Sequence, residues 1–145
     1  MSDHHPILEA FLKAGGPSPV VGALSEAMDG KILEMDPQTG HAMLSFAPDE
    51  RYLQGAGVIQ GGIVAAMLDF AMALSAFAKL PPGKSVGTVS LTTHFLKPVT
   101  PGLHIARSRL DRLGGRMIFA SAELTRGGAP GLLATATAVM AITSL

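Results

Sequence analysis

The sequence predicts an α+β protein in which a curved antiparallel sheet wraps one long helix. Three observations carry this. Residues 63–78 are rich in Ala, Leu and Met, and their apolar side chains fall all round a helical wheel, so the helix must be enclosed rather than lie on a surface. Everything after Gly83 reads as strands punctuated by Gly and Pro. Two more strands precede the helix, and one sheet can enclose such a helix only by bending around it.

Each element has a local reason. Ile7, Leu8, Phe11 and Leu12 recur at helical spacing, and Gly15-Gly16-Pro17 ends that short N-terminal helix. Residues 18–29 show no clear period and read as loop with at most one short strand. Residues 31–35 and 41–46 form a hairpin through the turn-forming Asp36-Pro37-Gln38-Thr39-Gly40. A glycine-rich approach, 54–62, leads into the long helix, which Lys79 and Pro81-Pro82-Gly83 terminate. Residues 85–95 alternate, with Val89, Leu91, Thr93 and Phe95 on one side and Thr88, Ser90, Thr92 and His94 on the other. Strands over 103–113, 116–125 and 132–143 follow, separated by hairpin-type turns that predict a continuous meander. The last strand is almost uncharged on either face, the mark of an edge or outer face that a partner covers, most simply in a two-fold dimer.

Composition excludes several classes of function. The 145 residues suit one domain, taken here as 1–145 with residues 1–29 as an N-terminal helix and loop. Cysteine is absent, which removes disulfides, thiolate zinc sites and a cysteine nucleophile. Eleven basic residues balance eleven acidic ones and aromatic content is 5%, so neither the basic footprint nor the stacking platforms of a nucleic-acid reader are present. The five histidines lack zinc-ligand spacing, and no metal is expected. The His4-His5 pair reads as a frayed terminus, and no basic n-region precedes an apolar run. The one membrane candidate, 63–80, carries Asp69 near its middle. A lone carboxylate at the bilayer centre is costly, so a soluble cytoplasmic protein is expected.

Two features carry chemistry. Asp69 stands two turns into an otherwise apolar helix, where a carboxylate is costly unless it is paired or used. It is either a general base or nucleophile beside an apolar pocket, or a brace for neighbouring backbone. Gly61 and Gly62 begin the helix, where bare N–H groups lack intrahelical acceptors and the dipole adds positive potential. They suit a carbonyl oxygen becoming an oxyanion, or else simply permit close packing. Gly62 and Asp69 lie about 10 Å apart along the axis, too far to serve one carbonyl together. Two antiparallel copies across a two-fold axis could set the Asp69 of one beside the glycines of the other. Gly55-x-Gly57 lacks the third glycine of a dinucleotide fingerprint, and there is neither a G-x-S-x-G elbow nor a P-loop. The arginines at 107, 109, 112, 116 and 126 read mainly as a solvated strand face.

Gly57-x-x-Gln60-Gly61-Gly62, then Asp69, Thr88 and Phe95-Leu96-Lys97-Pro98-Val99, together resemble the hotdog-fold acyl-CoA thioesterases of the phenylacetate-degradation type. The similarity runs from about Gly30 to Ile142. It implies a hotdog fold, homodimers that pair into a dimer of dimers, and hydrolysis of an acyl- or aryl-CoA thioester without cofactor. It also implies roles. Asp69 matches the catalytic acid, Gly61 and Gly62 the amides that polarise the carbonyl, and Thr88 a hydroxyl able to hold water. Gln60 stands where many relatives have His; its amide can donate a hydrogen bond but cannot exchange a proton at neutral pH. Gln54 stands where many have Asn, and with Met67, Met72, Phe95, Lys97 and Arg116 it completes the candidate substrate-binding set. Two other readings are a non-catalytic acyl-thioester binding module and an enoyl-CoA hydratase. The hydratase would need a His beside the acid, and none is near Asp69 in sequence.

Overall fold

Helix α3 (Gly61–Lys79) is the axis around which the rest of the chain is arranged. The computed structural model describes residues 3–145. Before α3 come α1 (Pro6–Ala14), β1 (Ser18–Pro19), α2 (Ala23–Ala27), β2 (Lys31–Met35), β3 (Ala42–Phe46) and a 3-10 turn, Glu50–Tyr52. After it come β4 (Lys84–Phe95), β5 (His104–Leu113), β6 (Met117–Arg126) and β7 (Leu132–Ser144). The strands form one seven-stranded antiparallel sheet in the order β1-β2-β3-β5-β6-β7-β4, and strands β2 to β7 all contact α3. This is the sheet wrapped around one helix that the helix pattern predicts, and it is the hotdog arrangement that the resemblance implies.

The core is the seam between helix and sheet. Val64, Met67, Leu68, Ala71, Met72 and Leu74 of α3 meet Leu44, Phe46, Ile118, Leu124 and Met140, each large side chain adding about 1.5–3 kcal/mol of burial. By length and apolar composition α3 could cross a membrane; here it is the core helix. The small inward residues Ala106, Ala120, Ala122, Ala134, Ala136 and Ala138 are also buried, which lets the sheet approach the helix closely. The β2–β3 turn forms as expected: Asp36 Oδ1 accepts from the Gln38 N–H at 2.8 Å.

The topology corrects the expected meander. β4 pairs with β7 and not with β5, while β5 pairs with β3. The connection 96–103 is pinned elsewhere. Val99 is buried, and its carbonyl accepts from the Ile59 N–H at 2.7 Å. The Gly102 N–H donates to the Pro48 carbonyl at 3.2 Å. These bonds carry the chain across the end of the helix to the free side of β3. In consequence β7 is interior, between β6 and β4. Its lack of charge reflects burial within the sheet, and the long unpaired edge is β4.

The N-terminal region also differs from expectation. His5 is not frayed. It is 4% exposed, caps α1 through Nδ1, stacks on Phe77, and its Nε2–H donates to the Lys84 carbonyl at 3.0 Å. Through Leu8 and Phe11, α1 covers part of the α3 flank that the sheet leaves open. Helix α2 escaped notice because five residues are too few to show a period. It is held by Ser25, whose Oγ donates to the Val20 carbonyl at 2.8 Å.

Candidate active site

Asp69 lies on α3 where β4 passes, and it is partly buried. Thr88 Oγ1 donates to Asp69 Oδ1 at 2.8 Å, and no other partner of this carboxylate is found among the described residues. Simple alternation would put Thr88 on the face opposite Leu91, Thr93 and Phe95. A β-bulge at Val89 corrects that reading. The register shifts between Thr88 and Ser90, so Thr88 pairs with the fully buried Met140, just as Leu91, Thr93 and Phe95 pair with buried Ala138, Ala136 and Ala134. The extra residue thus re-aims the Thr88 hydroxyl at the helix.

The start of α3 is a second polar locus. Gln60 is the N-cap, is exposed, and makes no side-chain cap bond. Its carbonyl accepts from the Ile63 and Val64 N–H groups. The N–H groups of Gly61 and Gly62 have no acceptor among the described residues, and at a helix start they carry the positive end of the dipole. A cavity of about 330 Å³ opens here, bounded by Gln54, Ile59, Gly61, Phe95, Lys97 and Val99 among others. Gln54 is tied into its own loop, its side-chain oxygen accepting from the Ala56 N–H. Upstream, the Asp49–Arg51 ion pair at 2.9 Å braces this approach. Arg51 also donates to the Ala27 carbonyl, and its guanidinium holds Asp49 below the usual carboxylate range.

Some predicted residues converge and others do not. Gln54, Gly61, Phe95 and Lys97 share the cavity at the helix start; Asp69 and Thr88 form the other locus, about 12 Å along the axis from Gly61. Met67 and Met72 have no exposed surface and belong to the core cluster. Arg116 is exposed at the β5–β6 turn, its carbonyl bonded to the Ile142 N–H, whereas Lys97 bonds to the Leu133 carbonyl. Nine positions along β7 separate these anchors, about 30 Å of strand, so the two residues lie toward opposite ends of β7. Val58, Val64, Leu96 and Pro98 complete the cavity. Their apolar character gave no signal that would separate them from core.

Comparison with known proteins supports the fold and the family. The thioesterase superfamily profile matches residues 56–130, from the loop before α3 to the β6–β7 turn. The chain belongs to the thioesterase superfamily. A phenylacetic acid degradation-related protein from Ralstonia eutropha JMP134 shares 32% identity over 92% of this chain and 97% of its own, with a TM-score of 0.81. The E. coli PaaI protein of the phenylacetic acid degradation operon shares the fold at 18% identity, covering 94% of this chain and 91% of its own, TM-score 0.77. A Streptococcus mutans protein bound to acetyl-CoA does so at 18% identity over 78% and 87%, TM-score 0.70. No match was found among curated proteins. This thioesterase is thus a PaaI-like hotdog protein and a thioester hydrolase.

Proposed function

We propose that this thioesterase hydrolyses an acyl- or aryl-CoA thioester in sites shared between two copies of the chain. The observation that carries the reading is the separation of its two polar loci. Asp69, with Thr88 on one oxygen, stands about 10–12 Å along the axis from the Gly61 and Gly62 N–H groups of its own helix start. A carboxylate, a water and a polarised carbonyl span a shorter series of contacts, each near 3 Å. One chain therefore supplies half of a site.

The unpaired β4 edge supports the pairing. It is twelve residues long, and Val89 and Phe95 on it are exposed; such an edge is a template for a second strand. An antiparallel two-fold along this edge brings the Thr88 end of one strand beside the Phe95 end of the other, and the Phe95 ring adjoins Gly61 of its own chain. Asp69 of one chain then faces the helix start of the other. The same pairing brings the partner's Arg116 toward the end that holds Lys97, where both could meet CoA phosphates.

In the water-activation route, Asp69 takes a proton from water and the hydroxide oxygen bonds to the thioester carbon. The resulting oxyanion is held by the Gly61 and Gly62 N–H groups. Collapse breaks the carbon–sulfur bond, and the departing thiolate receives the proton. Direct attack by Asp69, with later hydrolysis of the mixed anhydride, uses the same groups. Gln60 donates a hydrogen bond to the carbonyl or leaving group without gaining or losing a proton.

The test is complementation between chains. Asp69→Ala removes the acid, and Gly62→Pro removes one amide at a position with open space around it and in the first helical turn, where Pro is tolerated. Each variant alone should release no CoA above background from a panel of short, medium, long and aromatic acyl-CoA esters. Mixed chains, unfolded and reassembled together, should recover release. Recovery failing in confirmed hybrids would overturn the shared site.

A further inference from the structure

Phe95 is the last residue of β4 and 56% exposed, although it lies on the inward face of the strand beside buried Ala134. Its ring does not sink into the core. It rests on the first residue of α3: a Cβ built on Gly61 would lie 3.3, 3.5 and 3.9 Å from three atoms of the ring's far edge. Gly62, one residue on, has nothing within 4 Å of the same construction. The two glycines thus differ. Gly62 is open, and Gly61 is roofed by an aromatic ring that also walls the cavity of about 330 Å³.

We propose that Phe95 is the specificity-determining residue of this site, setting how much bulk a thioester can carry beside the carbonyl presented to the Gly61 and Gly62 N–H groups. This rests on the functional reading above and extends it to the choice of acyl group. The ring touches the backbone that would polarise the carbonyl, so any group flanking that carbonyl must pass the ring. The geometry also assigns Gly61 a second task. A side chain there would push the ring aside while leaving the N–H in place, so the harm of Gly61→Ala comes through Phe95. Leu96, 55% exposed, is the next residue of the same apolar rim, and Lys97 brings positive charge to it. The rim therefore joins an apolar wall to a cation, as an acyl group attached to a phosphorylated thiol requires.

The experiment compares wild type, Phe95→Leu, Phe95→Ala, Gly61→Ala and the Gly61→Ala/Phe95→Ala double variant, with CoA release measured on acetyl-, hexanoyl-, benzoyl- and phenylacetyl-CoA. Phe95 lies outside the core of its own chain but on the β4 edge proposed for pairing, so thermal unfolding and the oligomeric state of each variant are measured beside turnover. The expected result is a shift of relative kcat/KM toward the bulkier esters by about tenfold or more in Phe95→Ala, with Phe95→Leu between. Gly61→Ala should lose activity, and the double variant should recover at least about fivefold relative to the sum of the singles. Unchanged ester preference in both Phe95 variants, or additive effects of the pair, would overturn the proposal while leaving Asp69 in its role. Asp69→Asn is run beside them: turnover at the wild-type rate in that variant would remove the functional reading itself.

Discussion

Helix α3 carries two polar side chains deep in an apolar surface, and they have opposite fates. Ser75 is fully buried, and its Oγ lies 2.6 Å from Ser108 Oγ, which in turn donates to the Ala71 carbonyl at 2.6 Å. Every polar group there is answered from within the fold. Asp69, six residues earlier, is only partly buried and has Thr88 on one oxygen. A closed set of hydrogen bonds fixes the position of β5 on the helix. An incomplete one, at the edge of the sheet, leaves acceptor capacity for something outside the chain. Ser75 thus has the bonding of a brace, and Asp69 the open acceptor capacity that its proposed role requires.

The largest effect should follow from Asp69→Asn. Shape is kept and the base is lost, so kcat should fall by about 10²- to 10⁴-fold, while the thermal midpoint stays close to that of the parent. A large loss of stability in place of a loss of turnover would make Asp69 a brace like Ser75. The mirror experiment is Ser108→Ala. It leaves buried groups unanswered and should cost about 1–3 kcal/mol in denaturant unfolding, with kcat unchanged. Smallest is a pH effect at His104. This ring is 0% exposed, bonds through Nδ1 to the Gly102 carbonyl at 2.8 Å, and has no partner for Nε2 among the described residues. Burial holds its pKa below the ordinary 6.5, assisted by Arg126 and opposed by the Gly102 carbonyl. The unfolded chain therefore binds the proton more readily than the folded one. The contribution of neutral His104 is fully present above about pH 6.5 and is lost as pH falls through the lowered value. Thermal midpoints between pH 8 and pH 5 should decline less steeply in His104→Gln than in the parent.

Much of the architecture could be read from residues alone because one signal dominated. A sixteen-residue stretch apolar on all sides has few ways to be housed, and α3 follows within two residues at its start and one at its end. Strand existence after Gly83 was equally plain. Strand order was not, because pairing depends on where a connection is anchored. The Val99 and Gly102 backbone bonds that route β5 to β3 have no local sequence signature. The orientation of Thr88 was hidden for a related reason: a single inserted residue leaves composition unchanged while reversing every side chain on one side of it. Met67 and Met72 looked suited to an adaptable pocket, yet Met fills ordinary cores equally well. His5 looked like a tail because its partners, Phe77 and Lys84, are more than seventy positions away.

The bulge at Val89 makes β4 a strand of two phases. Past it, Ser90 to Phe95 keep step with β7; before it, the chain runs one place out of step. Pleating the strand regularly through Val89 would smooth the ladder and turn the Thr88 hydroxyl away from Asp69, so an apparently healthier strand would cost the carboxylate its partner. Regularity and competence are therefore in tension at this one position, and a redesign that rewards ideal strand geometry would erase the irregularity first.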